Sequence, residues 1–371
     1  MTSFSSNLHP TKLLIDKSAV AHNINNYRRA LDKNTRIMLM IKAFGYGIGD
    51  IELARFLEEK SLVDYLGVAY VNEGISLREE GISLPIMVMN TGIIDLEKVI
   101  AFNLEPTIYN RQQLGKLRQL NPNDIKRIRA HFKIDSGMHR LGFSKEEIGE
   151  AAFTLLENDV EIVGVYTHLA SSPEPHNDDF TLEQMTYFDE AYEMLVDKLD
   201  YRPARHILNS AGILRFPERQ YEMVRAGMGI YGLDPSNTQQ EDFIPVARLI
   251  TEISQINHLD KGETVGYVRR GKIVRDNSRI AILPVGYADG YNRLWSNGKA
   301  QVYINGQFAP TIGNICMDMT FIDVTEINCQ VGDQVELYGP HIDIRELAEA
   351  AGSIDYEVMT SIGQRVTREF V

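Results

Sequence analysis

Eight short apolar runs recur along the first two thirds of the chain: RIMLMIK, YLGVAY, PIMVMN, LEPTIY, RAHFKID, IVGVYTH, RHILNS and EMVRAG. Each reads as a strand rich in β-branched or large apolar residues. The stretches between most of them read as helices. GDIELARFLEEKS spaces its apolar residues at helical intervals, and TLEQMTYFDEAYEMLVDKL repeats the pattern with acidic residues outward. Alternating strands and helices require parallel pairing, and eight such units predict a closed (β/α)8 barrel.

Beyond about residue 240 the texture changes. EDFIPVARLITEISQINHL, SRIAILPVGY, KAQVYINGQFAPTIG and DQVELYG are β-branched or aromatic runs broken by Gly, Asn, Asp and Pro. The Asn-Gly pair in INGQ (304–307) predicts a tight hairpin. A chain of 371 residues exceeds one ordinary core, although an α/β barrel alone takes roughly 250. The expected division is a barrel over 12–240 and a mostly β domain over 241–371, joined by residues 1–11. The apolar run KLLIDKSAV near the N-terminus suits either part.

A net charge of −13 argues against nucleic acid or an anionic membrane as partner, because phosphate binding needs concentrated Lys and Arg. The first ten residues, MTSFSSNLHP, lack a basic segment followed by an apolar one, so no secretory signal is expected. No apolar run approaches the roughly 20 residues that span a bilayer. Cys316 and Cys329 are the only cysteines, which suits a reducing cytoplasm and offers no zinc spacing.

In a barrel of this type the strand C-termini and the loops after them build the active site. Lys42 ends the first strand and Tyr46 follows in its loop. Lys133, Asp135 and Arg140 lie at or after the fifth, His168 ends the sixth, Asn209 and Ser210 end the seventh, and Arg225, Gly227 and Met228 follow the eighth. Any one has a structural explanation; a packed core does not require all of them at one face. An amine forms a Schiff base with an aldehyde when burial and nearby cations lower its pKa. Backbone N–H groups near Gly227 and Met228, the Ser210 hydroxyl and tyrosine hydroxyls suit a phosphate. Together these describe pyridoxal 5′-phosphate (PLP), with no metal.

Nine segments in order then resemble the alanine racemase family over essentially the whole chain: IKAFGYGIGD, HFKIDSGMHRLGF, THLA, HILNS, RAGMGIYG, ETVGYV, PVGYADGYNR, ICMDM and DYEVMTSIGQRVTRE. The resemblance implies that Lys42 carries PLP and acts as base for one enantiomer. Tyr267, from the β domain of a partner subunit, is implied as the opposite base. Arg225 would face the pyridine nitrogen, and His168 would lie against the ring and link Arg225 to Tyr267. Arg140 would bond the PLP phenolic oxygen and help bind substrate, oriented by a Lys133 that is often carbamylated in the family. Tyr46, Asn209, Ser210, Gly227, Met228 and Tyr356 would hold the cofactor and its phosphate. Met317 and Asp318 would line the partner's side of the substrate pocket, with Tyr287 at its entrance.

Racemisation needs bases on both faces of one planar carbon. Lysine and tyrosine are both protonated in water, with pKa values of about 10.4 and 10, so each must be tuned. Two departures from the family pattern fall in the first loop. Phe44-Gly45 replaces the usual Asn-Ala, and Ile48 replaces the usual His. Rival readings are a racemase preferring serine or a broad set of amino acids, a barrel decarboxylase, a PLP carrier without turnover, and one half of a larger fusion. The expectation is a cytoplasmic homodimer that makes D-alanine for peptidoglycan.

Overall fold

The computed structural model describes residues 9–92, 96–236 and 238–371. It divides into two compact units. One holds Ser18–Gly45 and Asp50–Ile244; the other holds the described residues up to Lys17, Tyr46–Gly49 and Pro245–Val371.

The first unit is an eight-stranded parallel barrel with helices between the strands. Its strands are β1 (Arg36–Met40), β2 (Tyr65–Val68), β3 (Ile86–Val88), β4 (Glu105–Ile108), β5 (Arg129–Lys133), β6 (Glu161–Tyr166), β7 (Ala204–His206) and β8 (Met223–Ala226). Six fall within the runs read from the sequence as strands, and β6 and β7 begin one residue earlier, at Glu161 and Ala204. Neighbours pair in chain order from β1 to β7, and β8 returns to β1 with Arg36 opposite Met223 and Met38 opposite Arg225. Arg225 N–H donates to Leu208 O at 2.9 Å, bridging the segments at the seam between β7 and β8. The strands are short and largely buried because both faces are covered; Ile37–Met40 and all of Tyr65–Val68 are buried.

The helices carry their own start signals. Ser144 and Glu147 form a capping box ahead of Lys145–Glu157, and the Asn209 side chain caps Ser210–Arg215 by accepting Gly212 N–H at 3.0 Å. The helix expected over TLEQMTYFDEAYEMLVDKL runs from Asp178 to Leu199.

The second unit is mostly β. A six-stranded sheet orders Gln307–Pro310, Gln301–Ile304, Gln334–Tyr338, Ala247–Glu252, Lys12–Ile15 and Thr367–Phe370; a three-stranded sheet joins Gln255–Leu259, Ser278–Leu283 and Thr320–Asp323. The expected hairpin is present, with Asn305 and Gly306 both at positive φ, as a two-residue turn of this kind requires. The expected boundaries need correcting. Lys12–Ile15 is not part of the barrel: it pairs antiparallel with Ala247–Ile250 and parallel with Thr367–Phe370. KLLIDKSAV is therefore divided, its strand going to the β unit and Ser18 onward to the barrel. Tyr46–Gly49 also belongs to the β unit, and the later boundary falls at 244/245 rather than 240. Of residues 1–11, those before His9 lie outside the described residues.

Candidate active site

Lys42 stands two residues beyond β1, where the chain turns left-handed. Ala43, Phe44 and Gly45 have φ of 53°, 56° and 60°, with ψ between 45° and 52°. Two anchors hold this turn: Gly45 N–H donates to Ile41 O at 2.9 Å, and Ala43 N–H donates to Glu73 Oε1 at 2.8 Å. The other oxygen of Glu73 accepts the N–H groups of Ala69 and Tyr70 at 2.6 and 3.0 Å. Burial lowers the pKa of Lys42, and the charges of Arg140 and Arg225 lower it further; Glu73 opposes them.

Lys133, the last residue of β5, is buried with its Nζ 4.5 Å from the centre of the Tyr166 ring. Burial, then Arg225 and Arg140, bring its pKa down to about 7 against the pull of Asp135. Asp135 itself accepts the N–H groups of Gly137 and His139 at 3.1 and 3.0 Å, which shapes the loop that leads to the exposed Arg140. Ser136 Oγ lies 2.8 Å from Thr167 Oγ1, tying the ends of β5 and β6. Gln184 fixes the next turn through Ala170 N–H and His168 O, at 2.9 and 3.3 Å.

The His168 ring sits among cations. Burial, then Arg225, Lys133, Arg140 and Lys42, hold its pKa well below the usual histidine range. Its buried Nδ1 has no hydrogen-bond partner among the described residues. Beyond β7 and β8, Gly227 N–H donates to Ser210 Oγ at 2.8 Å, leaving the serine hydrogen to be donated.

Arg225 is buried, and its pKa falls to about 10 through burial, with Tyr166 opposing and Arg140 adding to the fall. Its Nη1 lies 3.0 Å from His206 Nδ1 and also donates to His206 O; Nη2 donates to Thr167 O and Ile207 O at 2.7 and 3.2 Å. His206 is thus a direct partner of Arg225. The sequence assigns it, Glu105, His131 and Glu73 no role beyond their strands and helix. For the first three, the available signal is a charged or imidazole residue inside a run otherwise suited to a buried parallel strand.

The remaining candidates lie in the β unit. Tyr46 is buried, with its ring centre 6.1 Å from that of Tyr356. Gly47 makes this approach possible: at φ +90°, a Cβ there would lie 2.2 Å from Met359 O. Arg368 holds the same turn through Gly47 O, at 3.1 Å from Nε and 2.9 Å from Nη2. Burial raises the pKa of both tyrosines, Tyr356 to about 12.

Tyr267 begins a short turn after Gly266 and is 68% exposed; the next residues, Val268 and Arg269, have φ of 60° and 53°. Asn314 Nδ2 donates to Tyr267 O at 3.1 Å. Tyr287 and Met317 lie on adjoining segments, where Tyr287 N–H donates to Cys316 O and Ala288 N–H to Met317 O, each at 3.0 Å. Asp318 accepts from Arg365 Nη2 at 2.6 Å, and the same guanidinium bonds the buried Asp289.

Residues 15–235 match the family model described as alanine racemase, N-terminal domain, and residues 246–370 match its C-terminal domain. The chain belongs to the alanine racemase family. It is 36% identical to alanine racemase 1 of Clostridium acetobutylicum over 98% of this chain and 96% of that one. It is 38% identical to the alanine racemase of Desulfovibrio desulfuricans over 96% and 97%. Among solved structures, alanine racemase of Clostridium difficile 630 superposes with a TM-score of 0.87 at 32% identity, covering 98% of this chain and 97% of that one.

The barrel residues of this alanine racemase family member suit an anionic ligand. Arg140 and Arg225 both lower the pKa values of Lys42 and Lys133, against Glu73 at the first and Asp135 at the second. The partnerless Nδ1 of His168 and the donor left on Ser210 are polar groups that such a ligand would satisfy.

Proposed function

We propose that this chain interconverts L-alanine and D-alanine with PLP held at the C-terminal end of the barrel by Lys42, Arg140, His168, Asn209, Ser210, Arg225, Gly227 and Met228. The observation that carries the reading is the convergence of Lys42, Lys133, Arg140 and Arg225 on His168, whose buried Nδ1 has no hydrogen-bond partner among the described residues. When bound, PLP withdraws electrons from the α-carbon of an amino acid attached through its nitrogen.

The chain's own residues do the rest. The lowered pKa of Lys42 makes its amine available first as the attachment point and then as proton acceptor on one face of the α-carbon. Tyr267, contributed by a second copy of the chain, serves the other face; its exposure fits a residue presented to a partner. Met317, Asp318 and Tyr287 of that copy line and gate the substrate pocket. A guanidinium has donors and no acceptor, so Arg225 cannot take a proton from the ring nitrogen and limits electron withdrawal there. That favours simple proton return over side reactions. Lys133, with a pKa of about 7, has a large neutral fraction at neutral pH, the form that adds carbon dioxide to give a carbamate able to orient Arg140.

The working form is a homodimer in the cytoplasm, supplying D-alanine for peptidoglycan. Incubating the PLP-loaded protein with L-alanine, and separately with L-serine, followed by chiral chromatography, tests the reading. D-alanine forming much faster than D-serine supports it. Comparable D-serine would change the substrate, and bound PLP with no D product would leave a cofactor carrier.

A further inference from the structure

Inside the barrel, four buried side chains from four strands form one line. Arg225 Nη1 on β8 meets His206 Nδ1 on β7 at 3.0 Å. His206 Nε2 meets His131 Nδ1 on β5 at 3.0 Å, and His131 Nε2 meets Glu105 Oε2 on β4 at 2.9 Å. Both imidazoles are fully buried, and Glu105 and Arg225 nearly so. The second oxygen of Glu105 pairs with Arg129 Nη1 at 3.0 Å, at the N-terminal rim of the strands.

The chemistry of the ends fixes every proton between them. A guanidinium only donates, so His206 Nδ1 must accept and a neutral ring carries its hydrogen on Nε2. That hydrogen can go only to His131 Nδ1, which puts the His131 hydrogen on Nε2, donated to the carboxylate. A neutral His206 fits the site, since burial and then Arg225 hold its pKa well below the usual histidine range. The sheet is built to allow the contact: a Cβ at Gly164 on β6 would lie 2.4 Å from His131 Nδ1 and 3.0 Å from His206 Nε2. The His206 ring also stacks on Tyr166, with centres 4.9 Å apart.

We infer that Glu105, His131 and His206 are positioning residues that hold Arg225 in one orientation against the cofactor ring, through hydrogen bonds donated in a single direction from guanidinium to carboxylate. The inference rests on the PLP reading for the role of Arg225. The line itself does not depend on it. Satisfied networks of this kind are stiff in a low-dielectric interior, and an outer partner tunes the group that touches the ligand.

The test is 15N NMR of the full, PLP-loaded protein labelled at histidine, with steady-state kinetics on alanine. In the unaltered protein both rings should carry hydrogen on Nε2 and not on Nδ1. A hydrogen on Nδ1 of either ring would overturn the directional line whether or not any variant folds. Glu105→Gln removes the charge without touching His206, and Gly164→Ala pushes between the rings without removing a polar group. Each should move the His206 signals and lower kcat about tenfold with little change in the KM for alanine, as outer-partner losses do. Unchanged His206 signals and kcat in folded variants, with only thermal stability reduced, would make the line a packing feature and overturn the inference. Nε2–H rings and a transmitted shift in a protein that makes no D-alanine would support the line and reject the proposed reaction.

Discussion

Glu73 Oε1 accepts the N–H of Ala43 at 2.8 Å, so the residue after Lys42 is fixed by the helix that follows β2. The same carboxylate is the charge that opposes the lowering of the Lys42 pKa. Glu73→Gln keeps an acceptor but removes that opposition, so the Lys42 pKa should fall further. The pH midpoint for cofactor attachment, followed by absorbance, should move to lower pH than in the unaltered protein. A midpoint at higher pH would contradict this electrostatic account.

Lys133 makes the cofactor-free protein's stability depend on pH. Its pKa of about 7 lies below the value of 10.5 for an unperturbed lysine, so between these pH values the unfolded chain binds the extra proton. Stability should rise with pH across that window and the contribution be lost as pH falls through about 7. The linked term is at most about 5 kcal/mol. Above about 10 the buried tyrosines act oppositely, because the unfolded chain ionises first. Urea titrations from pH 7 to 9.5 should therefore show a rising stability that Lys133→Met flattens. Carbamylation should appear as a 13C signal from labelled carbon dioxide that the same variant lacks.

The left-handed turn after Lys42 runs through Phe44-Gly45, the first of the departures from the family pattern. Left-handed backbone costs an L-residue roughly 1–2 kcal/mol, least for Gly and then Asn. The usual Asn-Ala sets the tolerant residue first, whereas Phe44-Gly45 sets it second. Gly45→Ala should destabilise the protein by about 1 kcal/mol, and Phe44→Asn should recover part of that loss. Thermal unfolding of the single and double variants checks both signs.

If Tyr267 acts in its partner's site, two inactive variants should rescue one another. In a mixed dimer of Lys42→Ala and Tyr267→Phe chains, one site regains both groups. Random mixing should then restore about a quarter of the unaltered activity. Mixing after subunit exchange, with activity measured against the dimer fraction, gives the answer. No recovery would place both bases in one chain or remove Tyr267 from the reaction.

The barrel was legible because buried parallel strands read as continuous apolar runs and their ends collected the polar residues. Lys42, Lys133, His168 and Arg225 were legible for that reason, and the structure couples their charges within one unit. Lys12–Ile15 was not, because a four-residue strand carries no sign of pairing with segments more than two hundred residues away. His131, His206 and Glu105 were missed for a different reason. Their importance lies in mutual contacts across the barrel interior, and those depend on Gly164 and on strand register, which no local pattern records. Asp318 was expected beside substrate, yet its observed partner is Arg365, a residue inside a quoted motif that had been given no role.

Hydrogen exchange at the α-carbon in deuterated water, with the PLP-loaded protein and its Tyr267→Phe variant, tests the two-base account most directly. The unaltered protein should convert either enantiomer of alanine into the other with deuterium at the α-carbon. Tyr267→Phe should keep exchanging one enantiomer through Lys42 while scarcely inverting it. Racemisation by Tyr267→Phe at the unaltered rate would contradict the claim that proton transfer is divided between Lys42 and Tyr267.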